Sequence, residues 1–464
     1  GVLKMRVCKI FIIVFAAIIL SWTQVSFAAM SNDEVLIKLN ELSTIIQKQQ
    51  QEIQMLKQEL KNQKKQVDNV QKTEKEEEKI DTEEKSKVWG EDIPEWIKKI
   101  KISGDLRLRY ENIWNREQQL EDGSSIDQPT FDRYRIRARL FFDSNITDEV
   151  SAHLMLTTDQ DRNPEATTSN MTMRDDFNNK GIYIGRAYAA YKPNWLNGLE
   201  LTGGKFKNTF MYTDIMWDPD VNPEGFYEYY KYSGWEKFEP FIHLGQMTVN
   251  NVRINTERDD PWLFINQAGF NWKLGPVTWT LAASHYNWTH LENTRYLHNA
   301  DYKGGGGNTF ILDANGDIQY AYDYKLWEGI SFVKFKIGHI PTKLMVDYIV
   351  NTADDVPGDY DTAYFVGFEL GKTKHKGDWS LLYKYARIEN DAVIGSMNDQ
   401  DFYGANRKGS KIKFRYMLFD RLQFATAYFH TSNLNAWVPD SPLWLINRFR
   451  MPEDRLQFDL IFKF

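Results

Sequence analysis

"DRYRIRARLFF", residues 132–142, sets Arg133, Arg135, Arg137 and Arg139 on every second position, with Tyr134, Ile136, Ala138 and Leu140 between them. Alternation of this kind marks a strand with two unlike faces, because successive side chains of an extended chain point to opposite sides. A face of four guanidiniums would be ruinous against a hydrophobic core. On an ordinary soluble sheet the like charges would repel one another without gain. The strand therefore calls for water on one side and an apolar medium on the other.

The same pattern recurs from Ile100 to the C-terminus. "KISGDLRLRYE" (101–111) puts Ile102, Leu106, Leu108 and Tyr110 on one face and Asp105, Arg107, Arg109 and Glu111 on the other. Further alternating segments are read at 149–158, 181–192, 198–207, 225–234, 239–250, 262–274, 276–290, 328–338, 342–352, 362–374, 377–390, 409–419, 421–432 and 454–464. With 101–111 and 131–142 they make about sixteen, an even number of the kind bacterial barrels use. The connections sort by length. Short turns at 143–148, 193–197, 235–238, 275–276, 339–341, 375–378 and 420 alternate with long polar stretches at 112–130, 159–180, 208–224, 251–261, 291–327, 353–361, 391–408 and 433–453. A transmembrane meander barrel with short periplasmic turns and long outer loops has this layout; a soluble sandwich has no reason for it. The expected fold class is thus an all-β transmembrane barrel of about 16 antiparallel strands spanning 100–464.

The last segment, "RLQFDLIFKF", carries Leu456, Phe458, Leu460, Phe462 and terminal Phe464 on one face and Arg455, Gln457, Asp459 and Lys463 on the other. An apolar outer face ending on an aromatic residue suits a lipid-facing strand and would invite aggregation in water. Tyr191, Trp195, Trp235, Trp272, Trp279 and Trp379 stand at segment ends, where interfacial girdles lie.

Ahead of the barrel the chain changes character. Residues 1–28 read as a secretory signal peptide: Met5, Arg6 and Lys9 form a basic start, "IFIIVFAAIIL" (10–20) an apolar run, and Ser26-Phe27-Ala28 a small-residue cleavage site. Residues 29–70 read as a periplasmic α-helical coiled coil. Leu39, Ile46, Ile53, Leu60 and Val67 occupy one heptad position and Leu42, Gln49, Leu56, Gln63 and Val70 the other. Residues 71–99 form a charged linker opening with "QKTEKEEEKIDTEEKSKV". The chain is acidic, with a formal charge of −7, and removal of 1–28 deletes three bases and no acid, so the arginine-rich strands run against their background. The single cysteine, Cys8, excludes disulfides and thiolate metal sites from the rest of the chain.

Signal, heptad, charged linker, and then "ISGDLRLRYE", "DRYRIRARL", "RAYAAYK", "LTGGKF" and "WDPDVNPEGF" together resemble the putative porin family of Gram-negative bacteria. The phosphate-selective porin group is similar in pairing a coiled coil with a barrel. The resemblance implies a homotrimeric pore in outer-membrane lipid, passing small hydrophilic solutes by passive diffusion. It does not supply the solute.

On the lipid face, arginine at the midplane costs about 2–4 kcal/mol, so four would cost on the order of 10 kcal/mol. The ladder is therefore expected to face the lumen, with Arg107, Arg109, Arg133, Arg135, Arg137, Arg139 and Arg186 lining the pore. Such a wall attracts anions. The competing expectation is a mixed constriction, in which acids from an infolded loop balance the arginines; Asp159, Asp161, Asp175, Asp176, Asp218 and Asp220 are the candidates. "WDPDVNPEGF" (217–226) is either an inward-folding acidic turn or an outer loop, and "GGGG" (304–307) reads as loop flexibility. No Gly-x-Ser-x-Gly, His-Glu-x-x-His or phosphate-loop motif occurs, so no enzyme, cofactor, metal or nucleic-acid partner is expected. An alternative reading makes the chain a tether between outer membrane and cell wall through its coiled coil, with the pore secondary.

Overall fold

The computed structural model describes residues 99–464, except 120–123, 160–163, 175, 251–259, 295–296, 298–303, 313–317, 403 and 436–452. The chain divides into two units, 1–93 and 94–464, and the second is the β-barrel. The signal peptide, the coiled coil, almost all of the linker, Asp161 and Asp175 lie outside the described residues.

Sixteen strands form the barrel wall. In chain order they are β1 (Ile100–Trp114), β2 (Phe131–Asn145), β3 (Val150–Thr157), β4 (Tyr183–Tyr191), β5 (Leu199–Lys205) and β6 (Glu224–Lys231). Then come β7 (Phe238–Thr248), β8 (Trp262–Leu274), β9 (Val277–Thr289), β10 (Tyr324–Ile337) and β11 (Ile340–Asn351). The wall is completed by β12 (Thr362–Gly371), β13 (Trp379–Ile388), β14 (Arg407–Phe419), β15 (Leu422–Asn433) and β16 (Glu453–Lys463). Each pairs antiparallel with its neighbours in sequence, and a two-residue strand at Met171–Thr172 adds to β2.

The sheet closes because β1 pairs with β16 in continuous register from Asp105↔Lys463 to Trp114↔Asp454. Closure leaves no open edge in the wall, the only way a sheet satisfies its backbone in lipid. Gly104 and Phe464 seal the seam, exchanging backbone hydrogen bonds of 2.9 and 3.1 Å. A Cβ on Gly104 would lie 2.6 Å from the Phe464 ring, so the glycine of "ISGD" is the seat of the terminal aromatic.

Outer positions of β1, β2 and β16 are apolar and exposed, among them Leu106, Leu108, Tyr134, Leu140, Phe458, Leu460 and Phe462. Strand length is uneven. β3 to β6 have 7 to 9 residues, whereas the others have 10 to 15.

The interior departs from a simple water-filled lumen. The connections 206–223 and 389–406 and the segment around Phe310–Tyr320 fold inward and build an apolar core with the wall from β6 to β15. Phe210, Ile215 and Trp217 from the first connection and Val393, Ile394 and Phe402 from the second meet wall residues such as Tyr286, Leu326, Ile349 and Phe365. This explains one boundary. The strand expected at 328–338 begins at Tyr324, because Tyr324 and Leu326 point inward onto that core, while Lys325 faces outward, so the stretch does not show a polar inner and apolar outer face. It also corrects the reading of "GGGG" as flexibility. Residues 304–307 form a tight 3-10 turn in which Gly306 Cβ would lie 2.6 Å from the Gly395 carbonyl carbon and Gly307 Cβ 2.1 Å from the Ala405 oxygen. These glycines permit close backbone packing between two loops.

Ile136 faces outward in the middle of β2. Replacing it with arginine is expected to destabilise the barrel by about 2–4 kcal/mol if the position lies at the bilayer midplane. Urea titration of protein folded into lipid vesicles, followed by the gel mobility shift of the folded form, measures this.

Candidate functional site in the barrel interior

The antiparallel pairing of β1 with β2 decides which charges meet. Asp105 lies opposite Arg139 and Glu111 opposite Arg133, but Arg107 lies opposite Arg137 and Arg109 opposite Arg135. Two of these rows therefore set like charges side by side on the inner face, an arrangement that destabilises a sheet unless other groups intervene.

Most of the arginines find carboxylates. Asp105 holds two of them: Arg137 Nη2 donates to Oδ1 at 2.8 Å and Arg139 Nε to Oδ2 at 2.8 Å. Arg133 Nε donates to Glu111 Oε1 at 2.6 Å. Arg109 grips Asp459 of β16 with Nε at 2.7 Å and Nη2 at 2.9 Å, a bidentate fork that closure of the barrel makes possible. Asp401, from connection 389–406, reaches Arg109 at 3.2 Å and Arg455 at 2.8 Å. Gln457 donates to the second oxygen of Glu111 at 2.8 Å.

Arg107 and Arg135 differ. Among the described residues, no carboxylate oxygen lies within ion-pair distance of either. Both end on Asn170 of connection 158–182: Arg107 donates to its side-chain oxygen through Nε at 3.2 Å and also through Nη2, and Arg135 Nη2 donates to its backbone carbonyl at 3.0 Å. Arg135 is only 3 % exposed, and its Nε has no hydrogen-bond partner. Arg107 and Arg135 thus meet neutral oxygens where their ladder neighbours meet carboxylates, and Arg186 of β4 does the same on Asn222.

The acidic turn "WDPDVNPEGF" begins inside the barrel, its first residues in connection 206–223. Asp220 reaches Arg139 at 3.5 Å and accepts from the Ser169 hydroxyl at 3.0 Å, so it joins two inward connections to the arginine wall. Burial pushes Asp220 up, but Arg137, Arg107 and Arg139 outweigh it and hold the carboxyl below its ordinary range. Asp218 is driven the other way, by burial and then by the neighbouring Asp220 charge. Its Oδ1 accepts the Asp220 N–H at 2.7 Å, and its own N–H donates to the Met397 carbonyl at 2.7 Å.

The remaining expected residues are scattered. Arg186 donates to Asn222 at 2.6 Å and shares the Phe141 ring with Arg139. Asp159 is buried but turns back on the Glu165 N–H at 3.1 Å, as a local loop cap. Asp176 is exposed on its loop. Several participants escaped the sequence reading. Arg455 and Asp459 occupy the polar positions of the last strand, and their place beside β1 follows from closure alone. Lys384 and Lys411 add a second basic group, both paired with Asp214 and Asp399 at 2.5 to 3.7 Å. Asn170 carried no signal, because nothing local marks which loop residue folds inward.

Glu111 is fully buried between Arg133, Arg455 and Gln457. Glu111→Ala strands those guanidiniums and is expected to cost about 3–5 kcal/mol, as when one partner of a buried ion pair is removed. Urea unfolding in lipid vesicles reads it, with Glu111→Gln expected to lose less.

Residues 128–305 and 307–464, well over half of the chain, match the family model described as "Putative porin". No curated protein matches the sequence. Among solved structures, OprB of Pseudomonas putida is similar at 11 % identity, with 81 % of this chain and 97 % of that chain covered and a TM-score of 0.49. The outer-membrane channel DcaP of Acinetobacter baumannii is similar at 13 % identity, covering 79 % and 97 %, with a TM-score of 0.42. The trimer form of OmpT of Vibrio cholerae is similar at 10 % identity, covering 79 % and 99 %, with a TM-score of 0.42. With both halves of the barrel matched by one family model, the chain belongs to the putative porin family.

Proposed function

We propose that this porin sits in the outer membrane and passes small hydrophilic solutes by passive diffusion, with a preference for anions set by Arg107 and Arg135. The observation that carries the preference is the absence of a carboxylate at ion-pair distance from either guanidinium among the described residues, in a cluster where Asp105, Glu111, Asp459, Asp401 and Asp220 engage Arg109, Arg133, Arg137, Arg139 and Arg455. Balanced pairs contribute a local field but little net charge. Two unbalanced guanidiniums add positive potential where the interior is narrowed by loops, and charge of one sign in a low-dielectric passage selects ions of the other. Diffusion needs no cofactor or energy source.

A homotrimer completes the proposal. A transmembrane strand takes roughly 9–11 residues, and β5 and β6 have 7 and 8. The outer face of that wall carries Phe226, Ile184 and Leu201, exposed. Contact with further copies of the chain would cover it, and the heptad of residues 39–70 is a second route to self-association. We assign the coiled coil of residues 29–70 to the periplasm.

The test is the reversal potential of single channels in a salt gradient. The wild type is expected to shift toward the chloride potential, and the Arg107→Ala, Arg135→Ala double variant to move toward zero. A cation-selective wild type, or a double variant with unchanged selectivity, would overturn the assignment.

A further inference from the structure

Connection 158–182 leaves the wall and returns to it on the same strand. Thr158 stays on β2: its N–H donates to the Ala138 carbonyl at 3.0 Å and its hydroxyl oxygen accepts the Ala138 N–H at 3.0 Å. The chain rejoins β2 at Met171 and Thr172, opposite Ile136 and Arg135, and the Met173 N–H donates to the Tyr134 carbonyl at 2.8 Å. The excursion between these anchors ends at Asn170, one residue ahead of the pairing and against Arg107 and Arg135.

Its neighbours fix it there. The Ser169 carbonyl accepts the Thr158 hydroxyl at 2.9 Å, while the Ser169 N–H and hydroxyl donate to Asp220 at 3.2 and 3.0 Å. Asn170 is buried, and its N–H and Nδ2 donate to Thr168 Oγ1 at 3.1 and 3.3 Å. With Nδ2 turned to Thr168, Oδ1 faces Arg107 and receives both Nε and Nη2. A guanidinium only donates, so the side chain at this place must present oxygen. Two N–H groups of one guanidinium converging on one side chain form the fork that a carboxylate fits, as Asp459 does for Arg109. A carboxylate would also keep its hold on Thr168, whose hydroxyl has a proton of its own to donate. The surroundings favour an acid as well, since Arg107 lies opposite Arg137 and Arg109 opposite Arg135. The chain holds an amide instead. The device recurs at Arg186, whose Nε donates to Asn222 Oδ1 while the Asn222 amide nitrogen turns to the Asp220 carbonyl at 2.9 Å.

We infer that Asn170 is a specificity-determining residue of the pore, an amide kept where the fold offers a carboxylate's place, so that Arg107 and Arg135 are held in line without being neutralised. The inference rests on the anion preference proposed above. It adds that stability is given up for that preference. The guanidiniums are already out of water, so a carboxylate in the fork would add charge-assisted hydrogen bonds and relieve the like-charge rows. The same barrel with an acid at this place is more stable and less selective for anions.

Asn170→Asp exchanges an NH2 group for an oxygen and tests both halves in the full chain. In planar bilayers the anion-over-cation permeability ratio, read from the reversal potential in a salt gradient, is expected to fall several-fold below the wild-type value. In 1 M salt, where the screening length is roughly 3 Å, conductance is expected to stay at the wild-type level because the bore is unchanged. In lipid vesicles the urea midpoint is expected to rise, and to rise no longer when Arg107→Ala removes the guanidinium of the fork. Neutral Asn170→Ser is expected to keep the anion preference. An Asn170→Asp ratio equal to that of the wild type overturns the role of Asn170 and leaves that of the two arginines standing. An equal fall in Asn170→Ser makes the residue structural and overturns the charge argument. A urea midpoint that falls, that rises equally without Arg107, or an Asn170→Asp chain lacking the folded gel mobility overturns the carboxylate's place. A wild type without anion preference overturns the reading beneath and the inference with it.

Discussion

The backbone ladder between residues 105–114 of β1 and 454–463 of β16 is the contact on which the rest of the molecule depends. It removes the last open edge, so that every strand in the wall has two partners, and it fixes the register of the first strand on both sides. Because that register places Asp459 beside Arg109, closure and charge compensation are one event. A seam displaced by one residue would turn Arg107 and Arg109 to the lipid and Leu106 and Leu108 to the interior.

Within the closed wall, alternation is a statement about two solvents. Tyr134, Ile136, Ala138 and Leu140 meet lipid; Arg133, Arg137 and Arg139 meet acids held on β1 and on connection 206–223. The balance is substantial, as a mixed constriction requires, yet Arg107 and Arg135 are left to a neutral asparagine. Asn170 supplies oxygen lone pairs that satisfy guanidinium donors, and it adds no counter-charge.

The connections do more than narrow a hole. Between β6 and β15 they supply a true hydrophobic core, with Trp217, Phe310 and Phe402 packed among wall residues. Buried polar groups at its margin tie loop to wall, Asp347 through Thr213 and Gln267 through the Met211 backbone.

The period of two, the sorting of connections by length and the terminal aromatic face determined the barrel, its strand number and the inward direction of the arginines from sequence alone, because strand polarity is a local property of alternating residues. Partners were a different matter. That Asp459 meets Arg109, that Asp401 and Asp220 come in from loops far along the chain, and that Asp159 turns away depend on closure and loop packing. The inward-folded core was equally hidden: inward apolar residues such as Leu326 and Ile349 look, in sequence, like any buried strand position. Tertiary structure alone decided which of the arginines meet a carboxylate among the described residues and which a neutral oxygen, since that depends on distances between side chains far apart in the chain and adjacent only once the sheet has closed.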